Sequence, residues 1–338
     1  MERVLAAGIF AMAISILLGP KFIEFLRRNE FGQHIREEGP AGHQMKQGTP
    51  TMGGLLIVLS MVIPFLALSK YTQAGLTVFF VTLACGAIGF ADDWFKVRHR
   101  RSLGLNGRWK LLLLAAITVG VGWSVQDMGL STDVYAPILD WRISLSFGFY
   151  LLLFIIIAGS ANGANLTDGI DGLAVGVAII ALITFAAMNI VTWIRSARAT
   201  ELRDASALDL AILGAALTGG AIGFLWYNAF PAEVIMGDTG SMALGGAIGA
   251  FAVMTKTELL LLLIGGIFVI EALSVMAQVF SFKYLGRRLF LMAPIHHHFE
   301  MKAWSETKIM VRFWVICAIF CASGFALFYR DFLHFVQP

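Results

Sequence analysis

Two adjacent carboxylates, Asp92 and Asp93, follow directly on an apolar run, and a third, Asp238, stands in Met236-Gly237-Asp238-Thr239-Gly240-Ser241. Oxygen donors of this kind suit a hard cation such as magnesium, which keeps several waters and takes further ligands from substrate phosphates. A solvated helix end would explain the pair alone, and a helix cap would explain Asp238 alone. The glycines around Asp238 do not form a phosphate-binding P-loop, because the Gly-Lys-Ser/Thr ending is absent. A third acidic stretch reads Asn165-Leu166-Thr167-Asp168-Gly169-Ile170-Asp171-Gly172. On a helical path Asp168 and Asp171 would share a face, while Gly169 and Gly172 free the backbone to turn or to approach a ligand. The stretch lacks the twelve-residue spacing and terminal Glu of an EF-hand calcium loop.

Two further clusters suit anions. Lys96, Arg98, Arg100 and Arg101 follow the acidic pair, although flanking positive charge is also common at the cytoplasmic end of a membrane helix. Pro294-Ile295-His296-His297-His298-Phe299-Glu300 is the more unusual run. Three adjacent histidines cannot all face one metal from a regular helix or strand. Imidazoles that donate hydrogen bonds to phosphate oxygens fit better, and their charge changes near neutral pH.

The elements that position these residues lie in a bilayer. Of 338 residues, 58% are hydrophobic and 14% charged, and the mean hydropathy is +0.78, more apolar surface than a soluble core absorbs. Each crossing takes roughly 20 apolar residues, and about ten such segments are legible, near 4–25, 52–68, 74–91, 109–126, 143–161, 173–193, 208–226, 241–254, 259–280 and 308–329. The reading is an all-α integral membrane protein, one polytopic domain over 1–338. The first segment should remain as a helix, since Gly19-Pro20 is a poor cleavage site. Cys85, Cys317 and Cys321 give no disulfide framework and no zinc spacing, and packing accounts for them. A net charge of +3 is no signature of nucleic-acid binding. With ten crossings, loops 27–49, 92–108, 162–172, 227–240 and 281–306 share one face. Almost every cluster above falls in those five. They carry more Lys and Arg than the opposite loops, which assigns them to the cytoplasm, although Arg195, Arg198 and Arg203 pull the other way. Carboxylates, a cation, basic groups and histidines at one membrane face imply chemistry on a phosphorylated substrate.

Gly48-Thr49-Pro50-Thr51-Met52-Gly53-Gly54, the Asp92-Asp93 pair, the stretch from Asn165 to Leu173, Met236 to Ser241 and Ala293 to Glu300 together resemble, in order and over nearly the whole chain, the bacterial phospho-N-acetylmuramoyl-pentapeptide transferases (translocase I). These are a branch of the polyprenyl-phosphate N-acetylhexosamine-1-phosphate transferases, and the Pro-Ile-His-His-His run points to the muramyl branch. The resemblance implies ten transmembrane helices with both termini outside and an active site formed by five cytoplasmic loops in a multi-pass protein of the bacterial inner membrane. It implies attack by undecaprenyl phosphate on the sugar-linked phosphate of UDP-N-acetylmuramoyl-pentapeptide, giving lipid I and UMP with Mg2+, in peptidoglycan synthesis. Asp238 would bind magnesium with Asp92 and Asp93 beside it, and Asp92 would deprotonate or orient the lipid phosphate. Asp92, Asp93, Asp238 and His297 are then the expected catalytic residues. Lys46, Thr51, Lys96, Asn165, Asp168, Asp171, Asn228, His296 and His298 would bind substrate. Where such relatives often carry an aromatic residue before Met-Gly-Asp, this chain has Ile235. The expected partners are the two substrates and the lipid bilayer, without nucleic acid; a homodimer is compatible with the pattern.

Two other readings share some of these features. A sister transferase using UDP-N-acetylglucosamine would keep the acidic loops but differ in its histidine segment. A transporter would place carboxylates near the midplane in broken helices, whereas here they gather at segment ends. The shared face is testable. Single cysteines at Gly39 and Ser305 should react with an impermeant thiol reagent only when the cytoplasmic side is open, and one at Thr132 only from outside. Labelling of Gly39 and Ser305 from opposite sides would refute the common face.

Overall fold

The computed structural model describes residues 1–29, 48–99, 104–137, 139–200 and 203–336. Lys46 and Gly39 lie outside the described residues. The chain forms α1 (Glu2–Arg28), α2 (Gly54–Leu68), α3 (Gln73–Arg98), α4 (Gly107–Asp127), β1 (Asp133–Ala136), β2 (Trp141–Ser144), α5 (Gly148–Thr167), α6 (Leu173–Thr200), α7 (Ala205–Asn228), α8 (Gly237–Met254), α9 (Leu261–Ile264), α10 (Gly266–Leu285), α11 (Ile295–Glu300) and α12 (Glu306–Val336). Each of the ten apolar segments falls on a helix. Among the described residues, eight helices are long and apolar enough to cross a membrane, whereas α2 has only 15 residues and α8 only 18, with a polar first turn.

Local signals explain the boundaries. Thr72 caps α3 by accepting from the Gly75 N–H, Asn106 caps α4 through the Arg108 N–H, and Asp204 caps α7 through the Ser206 and Ala207 N–H groups. Gly286 ends α10 in the left-handed conformation. In α1, Glu2 lies in the first turn and Arg27 and Arg28 in the last, each sign matched to the helix dipole.

The arrangement is an inner set of helices wrapped by an outer one. Of the most apolar stretch of α7, 83% is buried, against 22% for α12. The outer helices α1, α4, α10 and α12 display Leu17, Leu112, Val119, Met276 and Ile319 outward. Such a surface is stable only against lipid. Every residue of α8 from Thr239 to Met254 is buried, as expected of a helix enclosed on all sides, and α3 and α5 are its main neighbours.

Several sequence boundaries shift. The fifth segment was expected from 143, but Ile143 pairs with Val134 in the antiparallel β1–β2 hairpin and the helix starts at Gly148. Alternating residues in Val134-Tyr135 and Trp141-Arg142-Ile143 carry that strand signal, and Asp140, at φ 47°, makes the turn. The ninth segment breaks at Gly265 into α9 and α10. Asp92 and Asp93, assigned to a loop, ride instead on α3, which runs on to Arg98; Asn165 rides likewise on α5. Those turns of α3 pair with Lys96 and pack against α8, and that of α5 is tied to α8 through Asn165 and Ser241. The histidines lie on the short helix α11 rather than in open loop.

The α3–α8 contact is tightest at Gly89, where a methyl group would sit 2.1 Å from the Asp238 carbonyl oxygen. Gly89→Ala should force the two helices apart at a cost of about 1–3 kcal/mol, lowering the thermal unfolding midpoint in detergent and abolishing turnover. Gly107→Ala, with nothing within 4 Å of the added methyl, should do neither. Parental stability and activity for Gly89→Ala would show that the contact is not tight.

Candidate active site

The acidic clusters meet at one end of the bundle because α3, α5 and α8 deliver them there. Asp92 and Asp93 are buried in the last turns of α3 and Asp238 lies in the first turn of α8, its side chain 13% exposed. One oxygen from each of the three lies within 4.8 Å of the others.

Asp93 serves α8 directly. That helix has no side-chain cap from its own N-terminal residues. Instead Asp93 Oδ1 accepts from the Asp238 N–H at 3.1 Å, and Oδ2 accepts from the Thr239 N–H at 2.9 Å and the Thr239 hydroxyl at 2.7 Å. A carboxylate at a helix N-terminus satisfies orphan donors and complements the dipole. Gly237, at φ +74°, makes the turn that leads in, and a side chain there would also meet Asp93 Oδ2 and the Thr51 hydroxyl.

Asp92 and Asp238 are joined by two lysines. Lys96 Nζ lies 2.6 Å from Asp92 Oδ2 and 3.0 Å from Asp238 Oδ1, while Lys110 Nζ lies 3.0 Å from Asp92 Oδ1 and 2.9 Å from Asp238 Oδ2. The Leu105 N–H donates to Asp92 Oδ1 at 2.6 Å. Lys110, absent from the sequence-derived set, has the geometry of a site residue. Its signal was a lone cation just inside the apolar segment after the acidic pair, on the same membrane face.

Asp168 joins the cluster. It ends α5, and its burial, followed by the charges of Asp238 and Asp93, pushes its carboxyl up to about 8, against a hydrogen bond from the Gly237 backbone. Three carboxylates, Asp92, Asp93 and Asp238, thus share two ammonium groups, Lys96 and Lys110. The excess of hard oxygen and negative charge fits a divalent cation such as magnesium. The helical path on which Asp168 and Asp171 would share a face is not the one taken. Because α5 stops at Thr167 and Gly172 turns at φ +76°, Asp171 points elsewhere and accepts from the Ala232 N–H at 3.0 Å.

The other expected binding residues shape the walls. Asn165 donates to the Ser241 hydroxyl at 3.0 Å, tying α5 to α8. Asn228 accepts from the Gly172 N–H at 3.1 Å and donates to the Val234 carbonyl at 2.9 Å, locking the loop before α8 onto the loop after α5. Ile235 pairs through its backbone with Pro50 and Gly53, which brings Thr51 alongside. The histidines diverge. His296 is fully buried beside Glu271, His297 Nδ1 meets Glu300, and His298 Nδ1 accepts from the Leu291 N–H at 3.1 Å.

Comparison with known proteins gives a concordant result. The sequence pattern of Glycosyl transferase family 4 matches residues 75–256, and signature 1 of the phospho-N-acetylmuramoyl-pentapeptide-transferases matches residues 46–58. The chain is 45% identical over 329 residues to the phospho-N-acetylmuramoyl-pentapeptide-transferase of Geobacillus sp. (strain WCH70), covering 96% of this chain and 98% of the relative. The Rubrobacter xylanophilus protein of the same name is 44% identical over 336 residues (97% and 98%), and that of Bacillus subtilis (strain 168) 43% over 327 (96% and 97%).

The two kinds of contact separate experimentally. Asp93→Ala should lower the unfolding midpoint as well as turnover, since charge-assisted hydrogen bonds of this kind contribute about 1.5–3 kcal/mol each. Lys110→Arg, which keeps the charge between Asp92 and Asp238 but not the shape of the ammonium group, should cut turnover with the midpoint little changed. An Asp93→Ala protein as stable as the parent would remove the capping role.

Proposed function

The chain belongs to the phospho-N-acetylmuramoyl-pentapeptide-transferase family, and from that premise we propose that it joins UDP-N-acetylmuramoyl-pentapeptide to undecaprenyl phosphate, releasing UMP. It is a multi-pass membrane transferase of peptidoglycan synthesis that makes lipid I from a nucleotide sugar and a polyprenyl phosphate. The identity of the two substrates, the dependence on Mg2+, ten crossings with both termini outside, and a site facing the cytoplasm across the bacterial inner membrane complete the reading. One observation carries it: the Asp92–Asp93–Asp238 cluster, with Lys96 and Lys110, at one end of an apolar bundle.

In this reading an oxygen of the lipid phosphate forms a bond to the sugar-linked phosphorus of the donor. The bond from that phosphorus to the bridging oxygen breaks, and UMP leaves with the electron pair. An ionised phosphate is already a nucleophile, so direct attack suffices without an aspartyl-phosphate intermediate. Asp92, fixed by two lysines and the Leu105 N–H, orients the lipid phosphate and takes its remaining proton. Lys96 and Lys110 turn from the carboxylates to the phosphate oxygens as charge develops there. Asp238 and Asp92 would hold magnesium, with Asp93 beside them, and the ion would neutralise the diphosphate. Thr51, Asp168 and His297 line the donor side, while Asn165, Asp171, Asn228, His296 and His298 hold its walls; Lys46, expected with the donor-side residues, lies outside the described residues.

Purified protein given undecaprenyl phosphate and magnesium should form lipid product from UDP-N-acetylmuramoyl-pentapeptide and little from UDP-N-acetylglucosamine. A site that pairs buried polar groups with one donor rejects another that leaves them unpaired. Asp238→Asn should abolish that turnover in a folded protein, because the amide keeps the shape and loses the charge. Equal use of both donors would leave only the broader class of lipid-phosphate sugar-phosphate transferases.

A further inference from the structure

Glu271 lies in the otherwise apolar run Gly266-Ile267-Phe268-Val269-Ile270-Glu271-Ala272-Leu273 of α10, and its side chain is 0% exposed. A carboxylate in that position is costly unless a partner compensates it. Among the described residues neither of its oxygens has a hydrogen-bond donor in good geometry. Its ionisable neighbour is His296, also 0% exposed, with Nδ1 at 3.1 Å from Glu271 Oε1.

The other edge of that imidazole meets the site. A methyl group on Gly169 would fall 2.3 Å from His296 Nε2, so the ring is wedged between α10 and the residue that follows Asp168. Its centroid lies 4.1 Å from that of His297. The helix α11 that carries both has six residues, too few to hold its own place. Downstream it is held by Phe299 stacked on Trp304. Upstream, Gln278 clamps the approaching chain through the Leu289 and Phe290 N–H groups and the Phe290 carbonyl. The contact between the histidines themselves and the wall of α10 is the Glu271–His296 pair.

We propose that Glu271 is a positioning residue of the transferase, acting through His296 to set the height and angle of α11 and so the place of His297 beside the Asp168 loop. Complete burial keeps Glu271 from touching substrate, and His296 stands between it and the loop. The inference rests on the transferase reading above.

The test is a double-mutant cycle on turnover of UDP-N-acetylmuramoyl-pentapeptide, joined to nitrogen NMR of histidine-labelled protein recorded without substrates. Glu271→Ala should lower kcat by about 100-fold, the scale of a misplaced catalytic group, with a smaller change in KM for the lipid. In a His296→Ala background the same change should cost less than about 3-fold, since residues that act through one contact are not additive. Glu271→Gln, which keeps an acceptor for the imidazole N–H, should restore most of the activity and leave the other histidine signals at parental positions. Equal losses from Glu271→Ala in both backgrounds would overturn the proposal. So would a Glu271→Gln protein that melts normally yet is as inactive as Glu271→Ala. A parent that turns over no donor would instead count against the transferase reading, while a His296 signal unmoved by Glu271→Ala would count against the pair alone.

Discussion

The first turn of α8 depends on a carboxylate from another helix. Its own sequence offers no capping side chain, and Asp93 fills that place with three hydrogen bonds across the α3–α8 contact. Thr239 is buried and Asp238 nearly so, and buried N–H groups need an acceptor, which here comes from a neighbouring helix. Because the capping carboxylate adjoins Asp92, the interaction that seats α8 also brings Asp238 to Asp92. Structure and chemistry at this end of the molecule share one contact.

That convergence carries an electrostatic load. Charges at the end of a membrane bundle are tolerated when they face one another or a polar cavity. The two lysines that bridge Asp92 and Asp238 balance only part of the acidic cluster, and the raised Asp168 carboxyl is a second sign of the surplus. A site with more oxygen than positive charge accepts a cation readily.

The histidine run shows how a motif that reads as one unit divides once folded. On a six-residue helix, successive side chains leave about 100° apart, and the three imidazoles find three environments: the Glu271 carboxylate, the Glu300 carboxylate and the Leu291 backbone. His298 works as a backbone acceptor, His296 is a buried wedge, and His297 meets Glu300. Asn165, Asp171 and Asn228 each tie neighbouring segments together, Asn165 joining α5 to α8 and the other two joining loops.

Much of this was legible in the chain. Apolar length placed helices at all ten segments, since a bilayer imposes a minimum run that composition reveals directly. Alternation of sides then put Asp92, Asp168, Asp238 and His296 on one face before any contact was known. Motif order carried the family. Hydropathy did not mark the β1–β2 hairpin, because Ile143 in a strand and Ile143 in a helix are equally apolar. Nor did it mark where α3 and α5 end, because the last turns of both continue on polar contacts to neighbours, Asp92 with Lys96 and Lys110 in one and Asn165 with Ser241 in the other. Lys110, the service of Asp93 to α8 and the pairing of Glu271 with His296 join residues 128, 145 and 25 positions apart. The sequence by itself determined which residues are polar in an apolar setting and on which side they lie, for those follow from the cost of burying charge in lipid. Only the tertiary structure decided which of them touch, because that depends on how closely particular helices approach, and at Gly89 the approach turns on a single missing methyl group.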